Sequence, residues 1–150
     1  MFRKLAKTEK PASFHKLIKA ADLNFVEDTF ERWYNYYWTD KGDRVRGELI
    51  LVDIGGDYTE FELLPALARE SDRLGRTLRA ATAYELAYYA SHGWNGIERV
   101  VAFGSSFRDL KPNCARCVAT LRSPDGHRGL SAYVANITRP RLDLVLCVVE

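Results

Sequence analysis

Cys114 and Cys117 form a Cys-x-x-Cys pair, the spacing in this chain with the most specific chemistry. Two thiolates so placed can hold one tetrahedral zinc ion, with His127 and Cys147 as third and fourth ligands. Structural zinc sites usually draw a second tight pair from the sequence, and none follows here. Inert thiols are therefore the simpler reading, and Cys147 sits where a small buried hydrophobe would serve. Arg108, Lys111 and Arg116 flank the pair and would lower a thiol pKa, which keeps a thiol reading open. A redox role needs the pair at a helix N-terminus, whereas Lys111-Pro112-Asn113 reads as a turn entering a strand.

Charge supplies a second candidate. The whole chain carries 22 basic and 20 acidic side chains, a net +2 that points to no partner by itself. Its distribution is uneven, because residues 108–141 hold seven basic side chains against two acidic ones. Arg108, Lys111, Arg116, Arg122 and Arg128 are the candidate anion-binding set, for a phosphate or a nucleic acid. Solvated surface arginines are the bland alternative.

Aromatics supply the third. Phe30, Trp33, Tyr34, Tyr37 and Trp38 follow i, i+3, i+4, i+7, i+8, the spacing of one helix face. Residues 21–40 hold five acidic side chains and one basic, which repels phosphate and disfavours base stacking. Core packing or a protein interface fits such a face better, since Trp and Tyr are enriched at interfaces. Two further motifs fall short of their chemistry. Asp53-Ile54-Gly55-Gly56-Asp57 lacks the spacing of a phosphate loop, and Ser105 lacks the flanking glycines of a nucleophile elbow. No cofactor is expected.

The elements that would position these groups follow from periodicity. Residues 14–38 read as helical, with Ser13 as N-cap and a break near 22–24. Residues 48–54 are nearly all apolar and read as a strand covered on both faces. Thr59 with Glu62, and Thr82 with Glu85, match the capping box and open two helices. Leu63, Leu64, Leu67 and Ala68 form the apolar stripe of the first, where Pro65 forces a late start or a kink. Four β-like runs follow at 99–103, 116–121, 130–135 and 142–149, the last apolar on both parities and so a central strand. The expected fold class is α+β. A helical N-terminal segment precedes strand-helix-helix and four strands in a mixed, mostly antiparallel sheet. Residues 1–150 read as one domain, with 1–40 as a possible helical appendage.

Three parts of this pattern resemble a bacterial protein family of unassigned function. They are Leu78-Arg79-Ala80-Ala81-Thr82 with Glu85-Leu86, then Ala102-Phe103-Gly104-Ser105, then the last strand Leu144 to Val149. The likeness spans residues 49–149 and implies a shared fold, with no activity to carry over. The family's helix-start proline is alanine here, and Glu150 replaces an arginine after the last strand. The element order also resembles that of C-type-lectin-like domains, and Leu78 to Ala90 is similar to a helix start in their formylglycine-enzyme branch. The calcium and sugar tripeptides of true lectins are missing, so calcium-dependent sugar binding is not implied.

Composition bounds the rest. With 150 residues, 47% hydrophobic and 28% charged, the chain has globular proportions and can bury a core without staples. No apolar run reaches the ~18–20 residues that cross a bilayer, so no membrane is expected. The N-terminal charges lead into no apolar stretch or cleavage site, and the cysteine count is odd. A cytoplasmic location is the expectation. The functional expectation is a non-catalytic binding module that contacts a protein partner, or itself, through the aromatic helix face. Nucleic-acid or phosphate binding by the arginines is the alternative, and a small thiol or zinc protein is the third.

Overall fold

The computed structural model describes residues 12–39, 42–108 and 116–150. Cys114 and Lys111 lie outside them, as does the side chain of Arg108. The elements run α1 (Phe14–Ala20), β1 (Phe25–Val26), α2 (Asp28–Glu31), α3 (Tyr34–Tyr37), β2 (Trp38–Thr39), β3 (Glu48–Val52) and α4 (Glu60–Leu74). They continue with β4 (Leu78–Ala80), α5 (Ala83–His92), β5 (Arg99–Arg108), β6 (Arg116–Arg122), β7 (Gly129–Val134) and β8 (Asp143–Val149). Among the described residues the strands form one eight-stranded sheet in the order β1-β7-β6-β5-β8-β3, with β2 on β5 and β4 on β8. The β1–β7 and β5–β8 pairs are parallel and the others antiparallel. The fold is α+β.

Both faces of this sheet carry a core cluster, which explains the apolar strands. On the first face α5 packs over Val100, Ala102, Ala119, Leu121 and Leu146. On the second, Leu63 and Leu67 of α4 pack with Ile50, Val52, Val101, Val145 and Cys147. β8 lies inside the sheet, flanked by β3 on one side and by β5 and then β4 on the other.

β5 is bent. Its register against β6 shifts between Ala102 and Phe107, and its far end turns to pair with β2. Gly104 sits at the bend, where a Cβ would fall 2.5 Å from the carbonyl oxygen of Ala80. Only a glycine lets β5 approach the exit of β4 this closely, and its N–H donates to Ala81 O at 2.8 Å. The next residue, Ser105, accepts from the Ala83 N–H at 2.6 Å, satisfying a donor in the first turn of α5. Ser105 is a capping residue here, not a nucleophile.

The expected helix over 14–38 is broken. α1 stops at Ala21, and Asp22 takes a left-handed φ of 52°. Asn24 and Phe25 then donate to Arg128 O, which draws the chain against the start of β7. A kink at Arg32–Trp33 separates α2 from α3. Aromatic side chains have modest helix propensity, and the open edge of β7 competes for this backbone. The segment is no appendage: it contributes β1 and β2 to the sheet and Phe14, Leu17, Phe30, Tyr34 and Trp38 to the first core cluster.

Candidate functional site

The aromatic set is the first to be placed, and it is largely internal. Phe14 stacks on Tyr34 with centroids 3.6 Å apart, Phe30 on Trp38 at 4.7 Å, and Trp38 reaches Phe107 at 5.8 Å. The Trp38 indole N–H donates to Thr29 O. Phe30, Tyr34 and Trp38 are buried, so they cannot touch a partner without unfolding. Tyr37 is half-buried and only Trp33, at 44%, is well exposed. The expectation of a five-residue aromatic contact face is thereby corrected. Helical spacing found the stripe, and the stripe faces inward.

The exposed apolar surface lies instead on α4. Its inner stripe, Leu63, Ala66 and Leu67, is buried against the sheet. Phe61 and Leu64 stand 79% and 77% exposed, and Pro65 and Ala68 are also exposed. Phe61, Leu64, Pro65 and Ala68 follow i, i+3, i+4, i+7, so α4 carries a second apolar stripe on its outer face. The helix starts at Thr59 and runs through Pro65 without the late start expected from it. Thr59 makes no bond to the N3 backbone. Its hydroxyl donates to the Glu62 carboxylate at 3.1 Å, side chain to side chain, so the expected first capping box does not form. The proposed inner stripe is corrected too, because Leu64 and Ala68 point outward.

Beside this stripe α4 and β4 bound an apolar cleft of about 740 Å³. Leu67, Leu78, Ala80 and Phe103 are among its lining, with Phe61 and Leu64 on its rim. Its polar groups are already engaged. Arg116 pairs with Glu60 at one end and also donates to Phe103 O. Arg79 makes a two-pronged bond to Glu85, at 2.8 and 2.9 Å, and a third to Glu150 at 2.9 Å. Glu85 is 1% exposed, and it also accepts from the Thr82 N–H to complete the second capping box. Hydrogen bonding to Glu85 raises the Arg79 pKa further, so Arg79 is a fixed cation on the cleft wall.

The described members of the candidate anion set, Arg116, Arg122 and Arg128, do not converge. Arg116 belongs to the α4 cleft. Arg122 lies at the far end of β6, six residues or roughly 20 Å away along the strand. Arg128 packs over the Trp94 ring at 5.0 Å, and Trp94 belongs to the first core cluster, on the other side of the sheet. The described candidate zinc ligands, Cys117, His127 and Cys147, are dispersed as well. Cys147 is buried in the second core cluster and Cys117 packs against the first, so they occupy opposite faces. His127 is exposed in the β6–β7 turn, at the opposite end of β6 from Cys117. Burial pushes the Cys147 thiol up to about 12, which suits packing and not nucleophilic attack. Among the described residues no three His, Cys, Asp or Glu side chains form a metal-binding group.

Against family models, curated proteins and solved structures, the chain has no match. The outer stripe of α4 was present in the sequence as Phe61, Leu64, Pro65 and Ala68. Reading all the leucines of the helix as one inner face concealed it. Arg79 was legible as part of a family-like segment but not as a cleft wall, since its partner Glu150 is 71 residues away.

Proposed function

We propose that this protein is a non-catalytic binding module that associates with a second copy of itself through the outer face of α4. The observation that carries the reading is the fully exposed apolar stripe on the rim of the α4 cleft. Exposed apolar rows flanked by polar residues mark contact surfaces. The stripe is also self-complementary. Its four positions are symmetric about the midpoint between Leu64 and Pro65. Two α4 helices packed antiparallel about a two-fold axis set Phe61 against the partner's Ala68, a large side chain against a small one. The same operation sets Glu60 against the partner's Arg69, an acid against a base. A two-fold interface requires this kind of reciprocity. No helix in the described residues is long and apolar enough to cross a membrane.

Sedimentation velocity over a range of concentrations tests this. The expected result is a dimer for the native chain and a monomer for Phe61→Asp, with circular dichroism unchanged because Phe61 is exposed. Trp33→Ala should leave the dimer intact. A native chain that stays monomeric throughout, or a Phe61→Asp variant that dimerises as well as the native chain, defeats the proposal.

A further inference from the structure

A different part of the second sheet face carries a surplus of positive charge. Arg99 and Arg122 stand directly opposite each other on β5 and β6, one step beyond the Val100–Leu121 pair. Like charges in that position repel, and a fold without use for them would be expected to avoid it. Both guanidiniums lie over the same ring, with the Arg99 and Arg122 carbons 5.9 and 5.3 Å from the centroid of Tyr133. Arg122 also lies 5.1 Å over Phe25, and its Nε donates to Ser131 Oγ at 2.9 Å. These contacts fix both cations while leaving terminal N–H groups of Arg122 available.

The counter-charge is insufficient. Asp143 is the carboxylate of this region, 2.9 Å from Arg99 Nε and 3.6 Å from Arg139 Nη1. Two guanidiniums thus share one carboxylate, and among the described residues no carboxylate pairs with the third, Arg122. Arg139 is only 1% exposed, yet its Nε and Nη1 have no hydrogen-bond partner. The hydroxyl of Thr120, next to Arg122 on the same strand face, is also buried and unpartnered. Buried donors normally find acceptors. Both Asp143 oxygens also lack a hydrogen-bond partner, although they lie within ion-pair distance of Arg99 and Arg139, so it is the surplus of positive charge, three guanidiniums around one carboxylate, that suits the site to an anion.

We propose that Arg99 and Arg122, held on Tyr133, form a binding site for a phosphate group. Two adjacent guanidinium forks match the several oxygens of a phosphate better than one carboxylate does. The site does not depend on α4 or on association. The phosphate can be a free ion or part of a nucleic-acid backbone, and the experiment separates the two.

Full-length protein is titrated at low salt with inorganic phosphate, followed by NMR shifts, and with a labelled thymidine oligonucleotide of about 15 nucleotides, followed by anisotropy. Shifts around Tyr133 with phosphate alone, and no gain from the oligonucleotide, identify a free-phosphate site. Tighter binding of the oligonucleotide that falls with salt identifies a backbone site. Either supports the proposal. Arg122→Ala should weaken binding about tenfold or more, the scale of a charged hydrogen bond. Arg122→Gln, which keeps the stem over the rings, should do the same should the alanine variant fail to fold. Arg128→Ala, on the opposite face, should bind as the native chain does. No binding of either probe, native binding by folded Arg122 variants, or an equal loss in Arg128→Ala overturns the proposal.

Discussion

Glu85 is the carboxylate on which the α4 side of the molecule most depends. It is buried, ionic and held by Arg79 from one side and by the Thr82 backbone from the other. A buried ion pair adds little stability relative to an apolar pair, but breaking one strands a charge. Arg79→Ala should therefore cost about 3 kcal/mol, measured by urea unfolding, although Arg79 itself is partly exposed. Cys147 is the opposite case, a group kept uncharged. An unfolded thiol ionises near 9, whereas burial holds this one protonated to about 12. The contribution of this thiol to stability should be constant below pH 9 and fall between pH 9 and 12, because the unfolded chain then sheds a proton that the folded chain keeps. Burial raises the Tyr58 pKa in the same direction. Cys147 should also resist alkylation at pH 8 until denaturant is added, and rapid labelling of the folded protein would contradict its placement. At this scale the sequence was readable where partners are close along the chain. Thr82 and Glu85 are three residues apart and formed the expected box. Arg79 with Glu150, and Tyr58 with Arg139, are joined only by the fold.

Among the elements, strands with apolar runs and the helices after Thr59 and Thr82 were legible from periodicity. The short strands β1, β2 and β4 were not, because two or three residues carry no period. They exist because the sheet offers open edges and because β5 bends. That bend is the best test at this scale. Gly104→Ala places a methyl group against the backbone oxygens of Ala80 and Ala81, which cannot yield as a side chain can. The variant should lose about 1–3 kcal/mol or more in thermal or urea unfolding, the scale of an overpacked core. A neutral result would mean that β5 does not lie on the exit of β4. The aromatic segment shows the limit of pattern reading. Its spacing was helical and its turns are helical in part, yet spacing alone does not tell whether a stripe faces a core or a partner. α4 shows the same ambiguity reversed. It carries two apolar stripes, and only the sheet decides which one is covered.

At the scale of the whole molecule, the sheet separates three kinds of surface. The first face is sealed by α5 and the aromatic segment, the second is half covered by α4, and the uncovered part of the second carries the arginine pair. Composition and element order were enough for the α+β class. They were not enough for the sites, since only packing on the sheet decides which stripe of α4 stays outside, and only strand register sets Arg99 opposite Arg122. Self-association through α4 is the central claim. Hydrogen–deuterium exchange at high and low protein concentration tests it most directly. Amides of Glu60–Leu74 and Leu78–Ala80 should exchange more slowly at high concentration, while those of Phe30–Trp38 stay unchanged. Protection confined to Phe30–Trp38, or no concentration dependence anywhere, would contradict it.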